Sequence, residues 1–295
     1  MAPEPEPGTV GGRSAGAPAP AARPRRRTGP ARSRPSPDAS TLARYYDLDL
    51  TDDPGDLDLY LALAARTGGP VLELCAGTGR LSVPLAAAGY EVEALDRDPA
   101  MLERARKRWA GEVDARRVAP GGQLRTVAAD LFVSDEGSRF SLVMLPLNSL
   151  FLLGERSRQA AAIEVMARHL RPGGLAVVDA WLPGVDDLSL FDGRLILEWL
   201  RTDPETGAMV TKTGSAAYDH ARRRIDLTTI FEASPRFGGA VMRHVRTDVL
   251  HLLSADEIVD AATAAGLRVE QLAGDYDLAP FAPGCGRAVL VAGLV

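Results

Sequence analysis

The sequence predicts an α/β protein: a doubly wound, mostly parallel, seven-stranded sheet with an antiparallel β-meander inserted in its C-terminal half. Three observations lead there. Short apolar runs alternate with helix signals from residue 41 onward, a glycine turn follows the first run, and the block 192–253 replaces helices with strands joined by turn residues.

Taken in order, residues 71–75 form the first apolar run, and Gly77 and Gly79 turn the chain into an amphipathic stretch over 80–88. A strand over 91–95 follows. Asp98 offers an N-cap and Pro99 a proline at the first helical position, opening a helix over 99–109. Strands over 124–128 and 141–145 precede a helix over 157–170 with basic residues near its end, and Arg171-Pro172-Gly173-Gly174 turns into a strand over 175–180. Such alternation implies parallel strands with helices on both faces. The meander reads as strands over 194–202, 208–218, 225–232 and 240–252, separated by turns over 203–207 and 234–239. Ser254 and Glu257 have capping-box spacing, so a helix runs to residue 265, where Gly266 closes it; strands over 267–272 and 288–291 complete the sheet. There is no internal repeat.

Composition bounds the function classes. The chain has 295 residues with 34 basic and 39 acidic side chains, a net charge of −5. Residues 1–40 hold nine of the 21 prolines and seven arginines against Glu4, Glu6 and Asp38, so this segment carries +4 and the remainder −9. With Val10 as its only branched aliphatic residue, the segment cannot bury enough surface to offset chain entropy and is expected to be a disordered Pro/Arg-rich tail. It lacks the apolar core of a targeting peptide. Arg23 to Arg27 present either a solvated run or a grip on an anionic partner. The globular body spans 41–295. No apolar run is long enough to span a bilayer. Cys75 and Cys285 alone make neither a disulfide framework nor a metal site, which points to a reducing cytoplasmic compartment. The acidic body argues against nonspecific binding of nucleic acid.

The strongest chemistry lies in Glu73-Leu74-Cys75-Ala76-Gly77-Thr78-Gly79. Glycines at a strand-to-helix turn let the backbone approach a ligand, and the helix beyond presents unpaired N–H groups. Asp96 ends the next strand, 96 − 79 = 17 residues on, where a carboxylate can accept both hydrogens of a ribose diol; Asp130 supplies a third acid.

With these features the sequence resembles the class I S-adenosylmethionine-dependent methyltransferases, from about Tyr45 to the C-terminus. The resemblance implies a Rossmann-like fold, S-adenosyl-L-methionine as cofactor and S-adenosyl-L-homocysteine as product. It implies that Glu73 is the acid of the first motif and that Cys75, Gly77 and Gly79 hold its three turn positions, with Ala76 and Thr78 between them. Cys75 replaces the first glycine, and its backbone is expected to avoid positive φ. By the same resemblance Asp96 binds the ribose, Arg97 and Met101 cover the adenine, Asp130 and Leu131 contact its edge, and Leu145, Pro146 and Asn148 at the fourth-strand exit meet the methionine moiety. A nicotinamide-dependent oxidoreductase is the competing reading, but its fingerprint wants a third glycine or alanine where Ser82 stands.

Methyl transfer from a sulfonium is an in-line displacement, so alignment and exclusion of water matter most, no metal is needed, and a base helps only a protonated acceptor. The fourth-strand exit lacks the aromatic residue that base methylases place after their proline turn, and neither cysteine sits as a cytosine-C5 nucleophile. A small-molecule acceptor methylated on N or O, such as a natural-product intermediate, is therefore expected; the segments 148–153 and 275–281 are similar to those of such enzymes. The inserted sheet is expected to cover the acceptor pocket or to join two copies in a homodimer. Tyr45-Tyr46-Asp47 is expected ahead of the first helix, with Tyr46 as an aromatic lid or a packing residue. Asp179 ends the fifth strand, at the edge where open sheets bind ligands, as a site residue or a loop cap. His169 suits a helix-dipole partner, and His220, His244 and His251 fall in the meander, with His244 the candidate base. Two alternatives stay open: a methyltransferase of a peptide N-terminal amine gripped by meander and tail, and a noncatalytic cofactor-binding protein.

Overall fold

The computed structural model describes residues 37–51, 54–133, 137 and 139–294. The expected tail lies outside the described residues up to position 36, and positions 37–40 open the first helix, α1 (Pro37–Asp49). Tyr45, Tyr46 and Asp47, expected ahead of the first helix, lie within it. Pro37 occupies the first turn, where a missing N–H costs nothing, and Asp38 there complements the helix dipole.

After α2 (Leu57–Thr67) the doubly wound pattern begins: β1 (Val71–Leu74), α3 (Ser82–Ala87), β2 (Glu91–Asp96), α4 (Pro99–Asp114), β3 (Gln123–Ala128), β4 (Phe140–Leu145), α5 (Arg156–His169) and β5 (Leu170–Trp181). A short α6 (Val185–Ser189) leads to β6 (Asp192–Thr202), β7 (Met209–Asp219), β8 (Arg224–Ser234) and β9 (Met242–His251); α7 (Ala255–Ala264), β10 (Leu267–Ala273) and β11 (Arg287–Leu294) close the chain. The main sheet has seven strands in the order β10-β11-β5-β4-β1-β2-β3, and β6-β7-β8-β9 form a separate four-stranded sheet. Strands β5 to β3 in that order run parallel, while β11 is antiparallel to both its neighbours.

Every residue of β1 and β4 is buried, as a parallel sheet covered on both faces requires. Asp98 caps α4 by accepting from Ala100 N at 2.8 Å. That helix runs five residues beyond the expected 109 because nothing before Asp114 stops it. The predicted turn at 171–174 is absorbed into β5 as an irregularity: Leu170 pairs with Phe140, the ladder resumes at Leu142 and Leu175, and Gly173 takes φ 76°. The capping box of α7 is complete, with Ser254 and Glu257 bonded reciprocally at 3.3 and 2.7 Å.

Helix α1 bridges the two sheets. Tyr45 and Leu48 bury against Val210, Phe231 and Ala233 of the antiparallel sheet. Asp47 pairs with Arg104 and Arg108 of α4. Asp49 accepts from Trp199 Nε1 at 2.9 Å and pairs with Lys212 at 2.7 Å. The reversal of strand order between β1 and β4 opens a crevice at the carboxyl ends of the strands, which α1 and β9 wall off.

Candidate active site

That crevice is a cleft of about 680 Å³. Its floor is the loop after β1. Cys75 adopts φ 57°, contrary to the expectation that its backbone avoids positive φ. The strain of a left-handed non-glycine residue, about 1 kcal/mol or more, is held in place by the strands beneath: Ala76 N donates to Leu95 O at 2.9 Å. Burial pushes the Cys75 thiol up to about 12, so it stays neutral. Gly77 (φ 55°) and Gly79 (φ 76°) need glycine for different reasons. A Cβ on Gly79 would stand 2.8 Å from Ala105 Cβ of α4, whereas one on Gly77 would merely touch the Tyr46 ring at 3.6 Å, so there the positive φ is the reason.

Asp96 sits at the centre. Its Oδ2 accepts from Gly77 N and its Oδ1 from Asp98 N, both at 2.8 Å. Each oxygen keeps lone pairs for a further donor. Burial raises its pKa, and the two backbone bonds work against that shift. Arg97, Met101, Asp130 and Leu131 line the same end of the cleft, and Asp130 Oδ1 is oriented by Phe132 N at 2.9 Å. Three acids, a pair of side-chain acceptors fixed by backbone and an apolar floor suit a ligand carrying a diol, a flat ring and positive charge.

Other residues singled out in the sequence stand behind the lining. Glu73 is buried and accepts from the Ser82 hydroxyl; loss of hydration pushes its carboxyl up to about 7. Beside it, Arg80 is held by Asp56 through two bonds of 2.5 and 2.7 Å. Ala76, Thr78 and Gly79 shape the loop, and Leu145 and Pro146 are buried at the end of β4.

Past β4 the chain makes a tight turn in which Leu147 (φ 46°) and Asn148 (φ 58°) are both left-handed, and both line the cleft. Asp179 locks this turn. Its carboxylate accepts from Leu147 N at 3.2 Å, its carbonyl accepts from Asn148 N at 3.2 Å, and Asn148 Oδ1 accepts from Trp181 N at 2.5 Å. The carboxylate is buried, also bonded to Arg287 and to the Tyr276 hydroxyl at 3.0 Å, and stands outside the lining. It therefore holds the wall rather than facing the cleft.

Tyr46 lines the cleft; burial pushes its phenol up, which keeps it a hydroxyl donor. His244, the candidate base, lies outside the cleft lining. It shares a face of β9 with Arg246 and Asp248, but its ring lies edge-on to Tyr45 at 5.8 Å, covered by α1. His169 is buried edge-on to Phe140, His220 rests on Tyr218 at 4.5 Å, and His251 supplies its carbonyl to Gln159 at 2.7 Å. The residues of β9 that line the cleft are Arg246, Thr247 and Asp248, with Arg246 and Asp248 paired at 2.6 Å. Period-two alternation from His244 points to that pair, yet a choice made on side-chain chemistry passes it over. Arg158 of α5, stacked 4.2 Å from the Phe132 ring, also escaped notice.

A family profile described as a methyltransferase domain matches residues 71–174. Among curated proteins, the cypemycin N-terminal methyltransferase of a Streptomyces species is 31% identical over 214 residues, covering 72% of this chain and 78% of that protein. The dTDP-3-amino-3,6-dideoxy-α-D-glucopyranose N,N-dimethyltransferase of Streptomyces fradiae is 26% identical over 246 residues, 79% of this chain and 86% of that one. Among solved structures, DesVI of Streptomyces venezuelae superposes with a TM-score of 0.65 at 23% identity, over 86% of this chain and 98% of its own. The chain belongs to the class I S-adenosylmethionine-dependent methyltransferases, and S-adenosyl-L-methionine is its methyl donor.

Proposed function

We propose that this enzyme methylates an amine nitrogen of a small molecule, such as a natural-product intermediate. The observation that carries it is the division of the cleft: an acidic, backbone-fixed end around Asp96, and a second end between the β4 turn and β9 where Asn148, Ser149 and the Arg246–Asp248 pair face open space. The two curated relatives named above are an N-terminal methyltransferase and an N,N-dimethyltransferase of a dTDP-amino sugar, which favours nitrogen over oxygen.

In this reading Asp96 takes the ribose hydroxyls, Met101, Arg97, Asp130 and Leu131 enclose the adenine, and the loop from Cys75 to Gly79 with Tyr46 above it receives the methionine end. S-adenosylmethionine supplies a methyl group activated on sulfur; the protein aligns the acceptor and keeps water out. In the same reading Asp248, which lines the cleft, rather than His244 takes up the proton that an ammonium acceptor sheds. Asp248→Asn should then lower kcat/KM with an amine acceptor while S-adenosylhomocysteine affinity stays put; unchanged turnover rejects the assignment. A peptide N-terminal amine is the second reading, favoured by the 31% identical relative. Truncating residues 1–36 discriminates: a peptide substrate gripped by the tail loses affinity, whereas a small molecule does not.

Three further proposals accompany this one. Nucleic acid is not the substrate, since the β4 exit carries Leu147 and Asn148 where base methylases have an aromatic. Among the described residues no helix is long and apolar enough to cross a membrane, and the free thiols of Cys75 and Cys285 fit a cytoplasmic setting. A second copy docks on the antiparallel sheet, whose edge strand β6 exposes Leu195, Leu197 and Leu200; light scattering of Leu197→Lys checks for loss of a dimer.

A further inference from the structure

The sheet face that walls the cleft continues into a second cavity. Cross-strand partners in an antiparallel ladder project to the same side. Arg246 and Asp248 of β9 pair in register with Thr229 and Leu227 of β8. The first two line the cleft, and the last two line a separate cavity of about 230 Å³. The same face runs on through Ala216 and Gly214 of β7 to Ile196 of β6, which also line that cavity, and Phe191 closes its far side. The two spaces are neighbours on one sheet face, one to two strand spacings apart, roughly 5–10 Å.

The lining chemistry narrows the occupant. Leu227, Ala216, Ile196 and Phe191 are apolar, and Ser215, Thr228 and Thr229 are neutral. The two charged residues at the cavity each have a partner: Arg194 with Asp192 at 3.5 Å, and Glu198 with Lys212 at 2.7 Å. Gly214 permits the second pair, because a Cβ there would fall 1.8 Å from Glu198 Oε1. At the cleft wall Arg246 is matched by Asp248. A diphosphate is recognised by clustered arginines with donors to spare, and the cations along this face are already matched by acids. An uncharged ring fits better, because no cation at the cavity is left unmatched and its remaining lining is apolar or neutral.

We propose that the second cavity is a distal subsite for the acceptor: the amine stands in the cleft, and an uncharged apolar ring on the same molecule seats against Leu227, Ala216 and Ile196. This rests on the amine-methylating reading above. The test titrates the full-length chain, saturated with S-adenosylhomocysteine, with phenylalkylamines of increasing linker length, from benzylamine to phenylhexylamine, and with alkylamines lacking the ring. Affinity should rise about tenfold or more along the ring-bearing series only. Ala216→Phe, which fills the cavity, should abolish that gain and leave S-adenosylhomocysteine affinity unchanged. A flat length profile, an equal gain without the ring, or dTDP binding more tightly than any phenylalkylamine overturns the subsite. If Ala216→Phe does not fold, the two series on the unaltered chain decide alone. Failure of that chain to methylate any amine sinks the underlying reading instead; a flat profile on a chain that does methylate amines sinks only the subsite.

Discussion

Replacing Glu73 by glutamine should flatten the dependence of folding stability on pH between about 4.5 and about 7. Burial is the largest influence on this carboxyl, raising it from 4.5 to about 7 despite the Ser82 bond and the nearby Arg80 guanidinium. Arg80 is committed to Asp56, so Glu73 has no dedicated counter-charge. Across that window the folded chain holds a proton that the unfolded chain has released. Protons bound unfolded minus protons bound folded is then negative, so stability falls as pH rises. Below about 4.5 both states are protonated and the penalty vanishes; above about 7 it is complete. The shift, 7 − 4.5, is about 2.5 units, or about 3 kcal/mol at 1.36 kcal/mol per unit. Glutamine keeps the size and an acceptor for Ser82 without the charge. Near the acid end Glu73→Gln and the parent should unfold alike; at about pH 8 the variant should be more stable by up to about 3 kcal/mol, roughly 6–12 °C in Tm. Thermal and urea unfolding followed by circular dichroism across this range measures it. Parallel pH profiles for the two proteins, or a variant weaker at the alkaline end, would refute the reasoning.

Asp96→Ala removes the carboxylate proposed to bind two hydroxyls, and charge-assisted bonds contribute about 1.5–3 kcal/mol each; calorimetry should show S-adenosylhomocysteine affinity falling about a hundredfold or more, and unchanged affinity would overturn the ribose assignment. Asp179→Asn leaves the Arg287 guanidinium, 24% exposed, without its carboxylate. The expected cost is about 2–3 kcal/mol, below that of a fully buried pair, with faster amide exchange at Leu147; an unaltered exchange rate would show that the turn holds itself. His244→Ala should keep full turnover yet lose about 1 kcal/mol of stability with the Tyr45 contact, and a large fall in turnover at normal stability would restore the histidine as a base.

Local patterns carried much of this structure. The apolar runs of β1 and β4, the Asp98-Pro99 start of α4 and the Ser254/Glu257 box all describe interactions within a few residues of themselves, so they are readable in one dimension. The loop from Glu73 to Gly79 was equally visible, because the left-handed backbone of a strand-to-helix turn favours glycine at 77 and 79. What escaped depends on distant partners. Helix α1 is weakly amphipathic by itself and is fixed by Phe231, Trp199 and Lys212, far along the chain. The role of Asp179 depends on Arg287 and Tyr276, about a hundred positions away, and nothing near it in sequence announces them. Cys75 was expected to avoid a left-handed backbone on intrinsic preference; strand pairing overrode a preference of about 1 kcal/mol.

The bridge made by α1 has a consequence for how the protein is born. This helix leaves the ribosome well before the strands that hold it: its hydrogen bond to Trp199 spans 150 positions and its contact with Lys212 spans 163. Contacts of such separation are slow to form and come late. During synthesis the nucleotide loop and the parallel strands can assemble well before the wall above them exists. The walled cleft comes into being only when the antiparallel sheet arrives and captures a helix made about 150 residues earlier.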